Sequence, residues 1–244
     1  MRAETRGVVE SWFSLLQFGP DGWGDEIAAG AWLTLRLALT TLPFGLAVGI
    51  LVALARNSGN GVLRFLGNAF LTVFRGLPEL LTLVIIYYGG QALLNTMFGG
   101  APGEQLELNS FVAGFVALGL VFAAYASEVL LGAWRALPRG LFDAAAALGL
   151  HRTPTLLRVI LPQLVRLALP GLANLWLVLL KDTSLVSIIA LNDLMRETNV
   201  AVGATKQPFF FYLVAMAIYL TMSMISSAGI LGLERWSERG VQRR

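Results

Sequence analysis

Five apolar runs constrain this chain more than any other feature in it. They cover about residues 27–55, 77–98, 110–134, 163–190 and 208–233. About 20 residues of apolar helix cross the roughly 30 Å hydrocarbon core of a bilayer. In that medium a single run must pair its own backbone N–H and C=O groups, and the helix is the form that does so. The expectation is an all-α integral membrane protein with five transmembrane helices. Hydrophobic residues make up 56% of the chain and charged residues only 14%, which is not a soluble balance. A further apolar stretch, 62–74, is punctuated by Arg64 and Asn68 and followed by Arg75. It reads as a helix lying along the membrane interface before the second span. No internal repeat, low-complexity stretch or domain boundary is evident.

Charge sets an expected orientation. Residues 1–26 and 99–109 together sum to −5, and residues 181–207 are neutral. The alternate segments sum to +9; they are Arg56, Arg64 and Arg75, then residues 135–166 and 234–244. Lys and Arg flanking the spans mark the cytoplasmic side. The N-terminus is thus expected outside and the C-terminus in the cytoplasm. The organisation reads as an external segment 1–26, a membrane domain 27–234 and a cytoplasmic tail 235–244. The acidic N-terminal segment lacks the basic start and short apolar core of a cleaved signal, so the first run reads as retained.

Several chemistries are excluded. With no cysteine, thiolate metal sites and disulfides cannot form. The single histidine, His151, cannot build a histidine cluster. No Gly-rich phosphate loop of the Gly-x-x-x-x-Gly-Lys-[Ser/Thr] kind is present, so ATP hydrolysis by this chain is not expected.

The arginine-rich loop between the third and fourth runs carries the most informative segment, residues 140–162. Asp143 suits an N-cap or first turn, where negative charge complements the helix dipole. Ala144 to Ala147 are strong helix formers with minimal side chains, suited to close backbone contact with another protein. Gly149 can end that helix in a left-handed conformation. Thr153 and Pro154 read as the cap and first residue of the next helix. Arg152, Arg158 and Arg166 are available to acidic partners or lipid phosphates. The same residues also allow a plain interfacial helix with no partner.

The pattern Asp143-Ala-Ala-Ala-Ala-Leu-Gly149, nine residues, then Val159-Ile-Leu-Pro162 resembles the EAA loop of permease subunits of ABC importers. Asp143 stands for the usual Glu and Val159 for the usual Ile. Other blocks resemble the polar amino-acid permeases: Phe74-Arg-Gly-Leu-Pro78 with Tyr87-Tyr-Gly89, Ala124-Tyr-Ala-Ser-Glu128, Leu169-Pro-Gly-Leu-Ala-Asn174 and Leu180-Lys-Asp-Thr-Ser-Leu185. The end of the chain, from Gln207-Pro-Phe-Phe-Phe-Tyr212 to Trp236, is similar to the Q-type permease of histidine/lysine/arginine/ornithine and opine importers. Leu131 departs from the family's Ser-Glu-x-x-Arg-Gly block, which removes the arginine that Glu128 would meet there.

The resemblance implies a type I ABC importer permease fold in a bacterial inner membrane. It implies coupling through Asp143, Ala144, Ala145, Gly149, Leu150 and Arg152 to an ABC ATPase dimer that holds ATP and Mg, with no cofactor on this chain. It also implies a paralogous second permease, an external substrate-binding protein and surrounding lipid as partners, with no nucleic acid. The expected cargo is a polar, cationic amino acid or an opine.

Polar residues at membrane depth are costly and default to functional hypotheses. Asn174 and Trp176 are the candidates for the substrate pathway, with Glu79 and Asp182. Each has a plainer reading. Glu79 sits four residues after Arg75, at ion-pair spacing on a helix, and that pair is the favoured reading. Asp182 can neutralise Lys181 at the outer interface. Glu128 reads as a structural acceptor. Pro170-Gly171 predicts a broken fourth helix, because proline interrupts the hydrogen-bond ladder. Gly45 and Gly49, one turn apart, allow either close helix packing or nothing in particular. Two other classes of function remain in view: a secondary transporter, disfavoured by the lack of an inverted repeat, and an intramembrane enzyme, disfavoured by the lack of a nucleophile and base pair.

Overall fold

The computed structural model describes residues 14–98, 107–138 and 140–237, with side chains through Arg235. Most of the N-terminal segment, Glu104, Arg139 and the end of the tail lie outside the described residues. Every regular element among the described residues is helical. In chain order these are α1 (Gly24–Arg56), α2 (Gly61–Gly76), α3 (Glu79–Phe98), α4 (Ser110–Ala136), α5 (Gly140–Ala147), α6 (Arg152–Ile189), α7 (Leu194–Thr205) and α8 (Pro208–Ser237). Helices α1, α3, α4, α6 and α8 are long and apolar enough to cross a membrane. They correspond one for one to the five runs. At about 1.5 Å per residue, α1 with its 33 residues is about 50 Å long, well beyond the hydrocarbon core.

The residues group into two compact units. One comprises Met1–Thr41, Leu83–Ala117 and Leu180–Met224. The other comprises Leu42–Thr82, Leu118–Leu179 and Ile225–Arg244. In the first, Ile27, Leu194, Ala201, Phe210 and Phe211 form the core, with Trp23, Val214 and Tyr219 packed around them. Thr34 joins this core from α1, and its hydroxyl accepts the backbone N–H of Leu194 at 3.1 Å. Arg36, inside the apolar α1, lies 5.3 Å from the centre of the Phe111 ring. That contact offsets part of the cost of a cation at this depth.

In the second unit α1 and α4 pack through small residues. A side-chain carbon on Gly45 would meet Phe122 Cδ1 at 2.7 Å and the Gly119 carbonyl at 2.9 Å. One on Gly49 would meet Ala126 Cβ at 3.0 Å and the Ala123 carbonyl at 3.1 Å. The Gly-x-x-x-Gly pair is therefore a close-packing device.

The fourth span departs from expectation. Leu161–Asp182 is one α-helix, continuous through Pro170. Gly171 serves packing instead, since a side-chain carbon there would meet Val129 of α4 at 2.6 Å. The irregular turns lie at the two ends of α6. Thr155–Ile160 is a π-turn in which Leu161 N–H bonds the Leu156 carbonyl. It precedes Pro162, whose ring has no N–H and crowds the carbonyl four residues back, and a wider turn relieves both. Thr183–Ile189 is a 3₁₀ helix. Its buried residues are Thr183, Val186 and Ile189, spaced by three. With three residues per turn that spacing puts all of them on one face, which an α-helix would rotate out of line.

Candidate functional site

The alanine-rich segment folds as the helix α5 with Asp143 in its first turn. Gly149 ends it at φ +70°. Its N–H bonds the Ala146 carbonyl at 2.9 Å, and Leu150 N–H bonds the Ala145 carbonyl at 3.0 Å. This pair is a Schellman ending, and glycine adopts the left-handed φ without a Cβ penalty. The following helix starts two residues earlier than expected. His151 is the cap residue, in extended backbone, and α6 opens at Arg152. Thr153 and Pro154 thus fall at its second and third positions, where a missing N–H still costs nothing because the first-turn donors have no intrahelical partner.

The reversal after Gly149 folds the start of α6 beside α5. A recess of about 370 Å³ lies there, lined by Phe142, Ala146, Leu150, Arg152, Thr155, Leu156 and Ile160. Around it α5 exposes Asp143, Ala144 and Ala147, and Leu148 just beyond its end is 79% exposed. Ala145 points inward and is 3% exposed. Of the predicted coupling residues, Asp143 and Ala144 therefore stand on the free face, Leu150 and Arg152 border the recess, Gly149 shapes the turn, and Ala145 packs the helix down. Leu148 escaped the sequence reading because in the pattern it is only a spacer before the glycine. It follows the last residue of α5, and the reversal of the chain at Gly149 leaves it uncovered.

Two of the predicted pathway residues, Asn174 and Trp176, do not share a face. Asn174 is exposed on α6, and Trp176 is half-buried. Two residues apart on a helix, they are rotated roughly 200° from one another and point to different faces. Glu79 starts α3 and is half-buried, accepting a hydrogen bond from the Tyr125 hydroxyl at 3.4 Å. Asp182, half-buried at the end of Leu161–Asp182, belongs to the other compact unit.

The i to i+4 pairing of Arg75 with Glu79 does not occur. Arg75 instead reaches Glu128 at 3.5 Å, and Arg56 reaches the same Glu128 oxygen at 3.1 Å. Helix α2 ends between Arg75 and Glu79, at Leu77 in extended backbone, so the two residues do not share one helical face. Glu128 is the structural acceptor expected of it. In the sequence Arg56 reads only as a flanking charge, and nothing in the first apolar run singles out Arg36.

Comparison with known families places this geometry. The family described as "Binding-protein-dependent transport system inner membrane component" matches residues 45–241. The chain belongs to this family. It is a membrane-spanning permease subunit of the ABC transporter type, a transport component and not an enzyme. The nopaline transport system permease protein NocQ of Agrobacterium fabrum is 43% identical over 94% of this chain and 98% of its own length. The arginine ABC transporter permease protein ArtQ of Haemophilus influenzae is 41% identical over 87% of this chain and 95% of its own. The histidine/lysine/arginine/ornithine transport system permease protein HisQ of Salmonella typhimurium is 36% identical over 91% of this chain and 97% of its own. Among solved structures, an amino acid ABC transporter crystallised with histidines aligns with a TM-score of 0.76 at 29% identity, covering 87% of this chain and 94% of that one. The inward-facing MetNI methionine ABC transporter shares the fold at a TM-score of 0.65 and 18% identity, over 87% of this chain and 96% of that one.

Proposed function

We propose that this permease imports cationic amino acids or opines, with energy supplied by a separate ATPase dimer docked on α5. The observation that carries the coupling half is the free face of α5 beside an apolar recess, on the one segment with EAA-loop spacing. An alanine face with Leu148 standing out of it fits a cleft on a partner protein, because small side chains permit close backbone approach. The cargo class rests on the substrates for which the relatives are named. Nopaline, arginine and the histidine/lysine/arginine/ornithine group share a cationic or guanidino amino-acid frame.

In this reading the protein is a multi-pass component of a bacterial inner membrane, with α5 in the cytoplasm and the N-terminus outside. A paralogous permease covers the apolar surfaces that α3, α6 and α8 leave exposed. An external binding protein delivers the solute. ATP and Mg act on the partner ATPase, whose closure moves α5 and switches the pore between inward-facing and outward-facing states. Asn174, Trp176, Glu79 and Asp182 are the side chains of this subunit proposed to meet the solute. Acidic or polar walls lower the barrier for a cation leaving water.

The test is Leu148→Glu in the reconstituted transporter. Leu148 is exposed in the free chain, so the variant folds and inserts. It should lose ATPase co-purification and ATP-driven uptake of radiolabelled arginine or nopaline. Normal uptake by that variant rules out docking through α5. Separately, Glu79→Gln should lower uptake of arginine more than that of a neutral amino acid.

A further inference from the structure

Four charged groups of the second compact unit, Arg56, Arg75, Glu79 and Glu128, gather on one turn of α4. Glu128 Oε2 takes Arg56 at 3.1 Å, from the last residue of α1, and Arg75 at 3.5 Å, from the last turn of α2. The Arg56 side chain is 8% exposed. Its Nε donates to Asn68 Oδ1 at 3.1 Å, and another guanidinium nitrogen donates to Ser127 Oγ at 3.4 Å. Helix α2 presses on its stem, since a side-chain carbon on the buried Gly67 would meet Arg56 Cγ at 2.7 Å. Arg75 lies 5.5 Å from the centre of the Tyr125 ring, and the Tyr125 hydroxyl donates to Glu79 at the start of α3. One turn of α4 thus holds α1, α2 and the beginning of α3.

About two turns further on, the same helix meets α5. Trp134 of α4 stands edge-on to Phe142 of α5, with ring centres 6.2 Å apart. Leu137, in the short link between the two helices, is buried. In the same unit α1 also packs on α4 with Gly45 against Gly119 and Phe122, and Gly49 against Ala123 and Ala126. These contacts hold the two helices close by packing alone, with no bond directed along the axis. The pair between Glu128 and the nearly buried Arg56 is directional, and the half-exposed Arg75 adds a weaker one. Without the Glu128 carboxylate Arg56 would carry an uncompensated charge. Leu131, at the place of the arginine in the family pattern, is buried and uncharged, and both of Glu128's guanidinium partners come from other helices.

We propose that Glu128 is a positioning residue for transport: it fixes the axial register of α1 and α2 on α4, so that displacement of α5 reaches them. This rests on the reading that α5 docks on the ATPase. When α5 moves, α4 moves with it through Trp134, Phe142 and the short link. The Glu128 pairs then carry α1, α2 and the start of α3 along.

The experiment uses the complete transporter in proteoliposomes: both permeases, the ATPase dimer and the binding protein. It reads ATP hydrolysed per radiolabelled arginine imported, together with ATPase co-purification. Glu128→Gln should raise that ratio about tenfold with co-purification intact, and Arg75→Gln, at a half-exposed site that tolerates the change, about threefold; the double variant should be no worse than Glu128→Gln alone, as for two residues acting through one contact. An unchanged ratio in both single variants overturns the proposal, as does a double variant equal to the product of the singles. Leu148→Glu separates the two readings. If Leu148→Glu retains co-purification and uptake, docking fails. If it loses them while Glu128→Gln and Arg75→Gln stay coupled, only the role of Glu128 fails.

Discussion

The Thr34 hydroxyl accepts the backbone N–H of Leu194 at 3.1 Å across 160 residues of sequence. Both residues are fully buried, and Thr34 donates in turn to the Gly30 carbonyl at 2.9 Å. Gly30 leaves room for this approach, since a side-chain carbon there would meet the Asp193 and Leu194 backbone at 3.0 Å. Thr34→Val keeps the volume and strands the Leu194 N–H, which should cost about 1–3 kcal/mol. Thr34→Ser should restore most of it. Thermal unfolding in detergent measures both.

Asp193 caps α7, accepting the Met195 and Arg196 backbone N–H groups at 3.2 and 3.1 Å. Burial outweighs these bonds and pushes its carboxyl up to about 6, with the nearby Glu197 charge adding to the rise. Between the ordinary value of 3.8 and about 6 the folded chain holds a proton that the unfolded chain has lost. Stability from this group is therefore full below the ordinary value and falls as pH rises through about 6, by roughly 3 kcal/mol at most. Asp193→Asn retains a capping side chain and should remove this slope. Melting temperatures of the two proteins between pH 4 and 7 provide the comparison. Parallel curves would refute the assignment.

Gly45→Ala should destabilise the helix pair α1 and α4 by about 1–3 kcal/mol, because the new methyl has backbone and ring atoms closer than contact distance. Gly59→Ala is the control, since nothing lies within 4 Å of that position. Monodisperse yield and melting temperature should drop for the first variant alone.

Reporter fusions check the charge-derived topology. A fusion in the segment joining α3 to α4 should report the outside, and one at the C-terminus the cytoplasm. The same side at both points contradicts an odd number of spans between an outside N-terminus and an inside C-terminus.

The five spans, the alanine helix and its glycine ending were legible in the sequence because each depends on local chemistry. An apolar run of sufficient length has few alternatives in a bilayer, and a left-handed residue after four alanines favours glycine. What sequence spacing could not decide was which neighbour wins. Arg75 lies four residues from Glu79, yet α2 stops at Leu77 and Glu128, 53 positions on, takes the guanidinium. Pro170 predicts a break, yet the helix runs through it, with Gly171 set against Val129. Ala144 and Ala145 are identical in composition, but helix phase and packing expose one and bury the other. Sequence alone thus determined the membrane class, the number of spans and the alanine-rich helix with its glycine ending, since these follow from chain-local solvation and backbone geometry. Only the tertiary structure decided the charge pairs, the turn of α4 that gathers three helices and the face that α5 presents, because those are set by partners that the fold brings from distant parts of the chain.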